Sequence, residues 1–149
     1  MIGQGLVIMD FSSSSTDMAV NNGFASKAEQ YLDRLLARYS GTFNIYVPYT
    51  IGNVTFPAYG YFFSHVEKFV LTRNTNMWSS DSYEHILFMT KDTYTVDDVS
   101  QMKKILVDYV EPQLVRGGEE LPPPNHMYSY MSVILLSEKA SGKDVIKAV

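Results

Sequence analysis

The sequence from residue 43 to residue 63 reads FNIYVPYTIGNVTFPAYGYFF, two alternating runs of side chains joined by the dipeptide Gly52-Asn53. Glycine and asparagine both tolerate a positive φ, so a two-residue link of this kind is a strong signal for a tight β-hairpin. An antiparallel hairpin of this length sets the fold class, because it requires a sheet. Its predicted register pairs Ile51 with Val54 and Tyr49 with Phe56.

The second face of this hairpin carries aromatic rings where a half-exposed sheet would carry polar side chains. Exposed apolar patches of that size are rare on monomers. The sheet is therefore covered on both faces or forms an interface, and two full helices are few for double coverage. The candidate interface residues are Tyr46, Tyr59, Tyr61 and Phe63.

The amino-acid composition indicates one globular domain. The chain has 149 residues, a hydrophobic share of 46% and an aromatic share of 13%, enough to bury a core. Its formal net charge is −4, and its cationic side chains are scattered in ones and twos. A nucleic-acid-binding domain usually carries a basic stripe, so we expect no nucleic-acid partner.

The localisation is predicted from features that the sequence lacks. It has no cysteine, which removes disulfides, thiolate catalysis and cysteine-type zinc sites and suits a reducing cytoplasm. Residues 1–11 have no basic region, and their apolar run is too short for a signal peptide. No window reaches the ~20 apolar residues of a membrane span. We expect a soluble, cytoplasmic protein with no membrane partner and no cofactor.

Helical and extended patterns alternate along the chain. Apolar residues recur every three to four positions over 24–39 and again up to Val110 in a second helix that begins at Thr95 or Asp97. Pro112 should end or kink this second helix near Val110. A capping-box pair starts the first helix. Three further runs predict strands, and a polar loop is expected between the first two of them. The three strands are 65–72, 83–89 and 127–136, and the loop is 74–82. The last strand is expected to be central in the sheet and covered on both faces.

The predicted fold is α+β, with a mainly antiparallel twisted sheet of about five strands and two main helices packed on one face. The element order is α-β-β-β-β-α-β-α. The passage from the fourth strand through a helix to the fifth is also compatible with a parallel, right-handed crossover. Residues 1–23 are expected to be a flexible segment with a possible short strand at 6–11. Residues 24–149 form the domain, and its C-terminal helix is expected to be truncated.

Acids and histidines on adjacent predicted strands offer one catalytic alternative. Two of them lie two residues apart and share a strand face. If the strands pair, two histidines and a carboxylate could converge, a set that binds divalent metals. The element order also resembles restriction-endonuclease-like domains, but the acids of that site are missing, so no metal is predicted. The candidate catalytic residues are His65, Glu67, Glu84 and His85.

A pocket between helix and sheet is a further alternative. Aromatic and methionine side chains would line it, although at helical spacing such residues more often belong to a core. The candidate pocket residues are Tyr31, Trp78, Met102 and Tyr109.

The segment from Trp78 to Ser137 contains the runs SYEH at 82–85 and PPNHMYSY at 123–130. It resembles an uncharacterised domain family of Gram-positive bacteria, and the resemblance extends from about Phe24 to the end. The resemblance implies a bacterial, cytoplasmic domain and supplies no functional residues.

These observations favour a non-catalytic domain that binds another protein or a copy of itself. The two-sided aromatic hairpin supports this prediction, and no catalytic set of comparable strength accompanies it. An enzyme is the less favoured class, with a metal-dependent hydrolase or nuclease as the alternative. The sequence identifies neither a ligand nor a partner.

Overall fold

A computed structural model describes residues 2–10, 25–69 and 77–149 of the chain. The described elements are seven strands, three α-helices and one π-helix. In chain order they are β1 Ile2–Asp10, α1 Lys27–Tyr39, β2 Asn44–Tyr46, β3 Tyr49–Ile51, β4 Val54–Phe56, β5 Ala58–Phe69, β6 Met77–Lys91, α2 Val96–Ile105, the π-helix Leu106–Val115, β7 His126–Ser137 and α3 Lys143–Ala148.

The sheet has five strands in the order β1-β7-β6-β5-β2. β7 runs parallel to both β1 and β6, whereas β5 is antiparallel to β6 and β2 is antiparallel to β5. The α+β class and the strand number are confirmed, but the sheet is mixed and the predicted element order was wrong. The crossover alternative is confirmed in its parallel pairing, because α2 and the π-helix carry the chain from β6 back to the start of β7.

The hairpin turns at Gly52-Asn53 in the predicted register, with Tyr49 opposite Phe56 and Ile51 opposite Val54. Gly52 has φ +60°, and glycine at the first central position is the pattern of a type II′ turn. The two long strands of the prediction are each broken. Val47-Pro48 separates β2 from β3, and Pro57 separates β4 from β5, because proline cannot donate to a strand ladder.

The sheet is covered by helices on both faces. On the α2 face, Leu87 and Val133 pack with Val99 of α2 in one core. On the opposite α1 face, Ile86 and Ile134 pack with residues of α1 in a second core. The prediction that the helices share one face was wrong, because β6 and β7 are apolar at consecutive positions and bury both sides.

The proline breaks also change which face the hairpin presents. Phe56 of β4 belongs to the core on the α2 face, whereas Ala58 of β5 belongs to the core on the α1 face. Residues two apart were predicted to share a face. Pro57 between them interrupts the strand, so the tip of the hairpin folds against the π-helix instead of continuing the main sheet.

Two local predictions need correction. Pro112 was predicted to end or kink the second helix, and it does not end it, because the chain continues as a π-helix to Val115. Residues 77–82, predicted as a loop, form the start of β6, because pairing with β5 overrides their polar composition. No helix in the described ranges is long and apolar enough to cross a membrane.

The turn supports a direct test of packing. In Gly52→Val, the added Cβ would lie 2.9 Å from the Tyr109 ring, and the residue would keep φ +60°. The backbone strain alone costs about 1–3 kcal/mol. Gly117→Val is the matched control, since Gly117 has φ +62° but no atom within 4 Å of its Cβ position. Urea unfolding should show a larger loss for Gly52→Val, and equal losses would contradict the packing of the turn on Tyr109.

Candidate functional site

Strands β5 and β6 extend beyond their neighbours and form a two-stranded arm. They pair over their whole common length, from Ala58 opposite Phe88 to Phe69 opposite Met77. β2 pairs with β5 only up to Tyr61, and β7 pairs with β6 only from Asp81 onward. We define the arm as residues 62–69 of β5 with residues 77–84 of β6. Among the residues that the structure describes, no strand covers the outer edge of β5 along the arm.

Both faces of the arm expose apolar side chains. Phe63, on the α2 face, is 46% exposed, and Val66, on the α1 face, is 45% exposed. Phe63 contacts the Tyr83 ring across the strand pair, with centroids 5.2 Å apart. An isolated two-stranded ribbon is only marginally stable in water. β7 covers the β6 side of the arm at residues 81–84, so the outer edge of β5, with its exposed apolar residues, is the surface suited to pairing.

A histidine clamp joins the two strands of the arm. His65 Nδ1 lies 2.5 Å from Asp81 Oδ1, and His65 Nε2 lies 3.2 Å from Glu67 Oε1. The hydrogen bond to Asp81, followed by that to Glu67, raises the pKa of His65 above its ordinary value. Because carboxylates engage both ring nitrogens, the imidazolium is favoured and no nitrogen is left free to bind a metal or to accept a proton as a base.

His126 lies on the same face at the base of the arm. Its ring stacks on Tyr83 at a centroid distance of 5.7 Å, and its Nε2 lies 2.8 Å from Ser129 Oγ. Ser129 is completely buried, so its hydroxyl forms a packed hydrogen bond with His126. Burial lowers the pKa of His126.

His85 is buried further along β6, towards the hairpin. Its Nδ1 lies 2.8 Å from the Tyr59 hydroxyl, and only 3% of the residue is exposed. Burial lowers the pKa of His85 to about 4 and raises the pKa of Tyr59. His85 Nε2 has no hydrogen-bond partner in the described part of the chain. The neutral ring therefore acts as a packed aromatic residue with one hydrogen bond.

The structure brings together only part of the predicted catalytic set. His65 and Glu67 contact each other, but their nearest partner on β6 is Asp81, which was placed in the predicted loop. His85 lies on the same face opposite Tyr61, four positions along β6 from Asp81, and Glu84 lies on the other face opposite Phe62. Within residues 2–10, 25–69 and 77–149, no group of three or more metal-ligating side chains is arranged to hold an ion.

The predicted interface residues differ in exposure. Tyr46 is 48% exposed and stacks on Tyr59, which is 5% exposed, and Phe63 belongs to the arm. Tyr61 is half-buried against the core of the α2 face. Val66 and Asp81 were not among the predicted site residues. The alternation of side chains between the two strand faces through 65–69 could have identified Val66 as a surface residue. Asp81 could be identified only from the pairing register of β6 with β5.

The four predicted pocket residues do not converge. Tyr31 lies in α1, whose buried residues pack on the α1 face, while Met102 and Tyr109 pack on the α2 face. The side chain of Trp78 lies outside the described part of the structure. A separate cavity of about 250 Å³ is lined by Gly3, Met127, Tyr128 and Tyr130, and none of these residues was predicted to form a pocket.

The three histidines predict an unusual spread of titrations. His65 should titrate above its ordinary pKa of 6.5 and His126 below it, whereas His85 should titrate near 4. The clamp at His65 therefore stabilises the fold below pH 6.5, and this contribution is lost as the pH rises through the raised pKa. Burial of neutral His85 has the opposite sign, and its contribution is lost as the pH falls from 6.5 towards 4.

The check is an NMR titration of the imidazole resonances in the wild type and in Asp81→Asn. The substitution removes the larger partner of His65 and should lower its pKa, while His85 should be unaffected. A His65 pKa at or below 6.5 in the wild type would contradict the clamp.

Comparison with known proteins identifies a family. Residues 27–149 match a domain of unknown function (DUF8052), and the match begins at the first residue of α1. No curated protein and no solved structure matches the chain. The prediction of an uncharacterised domain family is confirmed, and the chain belongs to the DUF8052 family.

Proposed function

We propose that this protein is a non-catalytic binding domain whose contact surface is the arm. The observation that carries the proposal is the outer edge of β5 beyond Tyr61, which no described strand covers. A row of unpaired backbone N–H and C=O groups is a template for another strand. A partner that adds a strand at this edge would satisfy these groups by β-augmentation.

The side chains along the edge supply specificity for such a partner. Phe63 and Val66 project to opposite faces, so an added strand is contacted by an apolar group above and below the sheet. Glu67 and Lys68 place one charge of each sign next to them. Charges on an edge strand disfavour indiscriminate aggregation and select partners of complementary pattern.

The state of the histidines favours binding over catalysis. Carboxylates hold both nitrogens of His65, and His85 and Ser129 are buried. A general base or nucleophile must reach the reacting atom. The accessible part of this cluster offers aromatic surface and a fixed charge pattern, which are features of recognition surfaces.

We propose the cytoplasm of a Gram-positive bacterium as the setting for this binding. The resemblance of residues 78–137 to a domain of such bacteria and the absence of cysteine from the sequence support this proposal. Proteins of a reducing compartment rarely contain disulfides, so we expect none in the partner either.

The proposal predicts that a charge at Val66 weakens association. The test is sedimentation of the purified protein at micromolar concentration together with affinity capture from a bacterial extract. Wild-type protein should self-associate or retain a protein partner, and Val66→Lys should lose at least ten-fold in apparent affinity. The matched control is Val107→Lys, because Val107 is 52% exposed on the π-helix, away from the arm.

Three results would contradict the proposal. The first is a wild-type protein that stays monomeric and retains no partner. The second is equal behaviour of the Val66→Lys and wild-type proteins. The third is a comparable loss in Val107→Lys, which would show that the effect does not depend on the arm. Circular dichroism of both variants confirms that a loss is not caused by unfolding.

A further inference from the structure

We propose that the partner of the arm is the arm of a second copy of this chain, paired antiparallel across a two-fold axis at Val66. This inference rests on the proposed function and deepens it, because it names the partner and the register. A two-fold axis perpendicular to the sheet joins two identical edges as antiparallel strands. It also places the α1 faces of the two copies on the same side of the combined sheet, and likewise the two α2 faces.

The register is selected by the side chains along the edge. With Val66 opposite Val66 of the second copy, His65 lies opposite Glu67 of the second copy, and Ser64 lies opposite Lys68. The two exposed valines meet at the centre, and the imidazolium and carboxylate meet beside them on the α2 face. Directly opposed apolar pairs and opposite charges both stabilise antiparallel strands.

Neighbouring registers that keep the faces aligned are less favourable. A shift in one direction places His65 opposite His65 of the second copy, and the side chains of the clamp would then bring two imidazolium groups together. A shift in the other direction places Glu67 opposite Glu67. Like charges directly opposite each other destabilise a strand pair, so the charge pattern distinguishes the proposed register from both alternatives.

The clamp fits this arrangement because it leaves carboxylate capacity unused. His65 carries one positive charge, and Asp81 and Glu67 face it from β6 and from its own strand. Tyr83 donates a hydrogen bond of 3.5 Å to the second oxygen of Asp81. Both N–H groups of His65 already donate within their own chain, so the contact between Glu67 and the His65 of the second copy is an attraction between opposite charges and adds no hydrogen bond.

The outer edge of β1 is the competing edge. Residues 2–9 of β1 carry no charged side chain, and the exposed valine there, Val7, is 44% exposed. A strand without charges specifies its pairing register only weakly. The arm has both the apolar contact and the charges that fix one register, and this distinguishes it from β1.

Cysteine cross-linking tests the proposal with little background, because these 149 residues include no cysteine. In the proposed register the Val66 Cα atoms of the two copies lie about 4.5–5.5 Å apart, which is within the range that a disulfide bridges. The Ser64 residues of the two copies are offset by four positions, or roughly 13 Å along the strand. Ser64→Cys is the matched control on the same face and strand, and Val7→Cys tests the β1 edge.

Under mild oxidation, Val66→Cys should form a covalent dimer in high yield, while Ser64→Cys and Val7→Cys should stay monomeric on non-reducing gels. A failure of Val66→Cys to cross-link would overturn the inference, and so would preferential cross-linking of either control. If Val66→Cys stays monomeric while Val66→Lys still loses a captured protein, the self-pairing is wrong and the arm binds a different partner. If neither variant has an effect, the proposed function fails as well.

Discussion

The length of β6 relative to its two neighbours is the constraint on which the rest of this structure depends. Its second half is apolar at three consecutive positions, Ile86 to Phe88, so both faces must be covered. α1 covers one face, and α2 with the π-helix covers the other. Its first half is richer in polar residues, pairs with β5 throughout, and pairs with β7 only from Asp81 onward. The same strand therefore builds the core and projects the arm.

The polar chemistry of the α2 face follows the same division. Where β6 is buried, His85 is kept neutral and bonded to Tyr59. Where β6 leaves the core, the largely buried carboxylate of Asp81 meets the more exposed ring of His65 and favours its charged form. Two histidines on one sheet face thus have opposite electrostatic states because one is desolvated and the other is paired with carboxylates.

The sequence predicted those parts of the fold that are determined by residues close together in the chain. The turn at Gly52-Asn53 and the register around it were predictable because a dipeptide and an alternating pattern determine them. The central position of β7 was predictable from its apolar residues on both faces. Parallel pairing of β6 with β7 was left open, because the pattern of a buried strand is the same whichever direction its neighbour runs.

The candidate site was predictable only where it lies within one strand. The shared face of His65 and Glu67 follows from the period of a strand. Asp81 was missed because the polar run before Tyr83 reads as a loop, and only pairing with β5 makes it extended. The clamp and the open edge depend on the register between two strands and on where a third strand stops. Neither of these is encoded in a local pattern.

The central claim is that the outer edge of the arm is open in a single chain and becomes paired when the protein binds. Hydrogen–deuterium exchange of the wild-type protein at low and high micromolar concentration measures this directly, because backbone amides are protected when they enter a strand ladder. We predict that protection rises with concentration at residues 63–69 and stays constant along β1 and the π-helix. Unchanged exchange at 63–69, or a concentration-dependent rise confined to β1, would contradict the account.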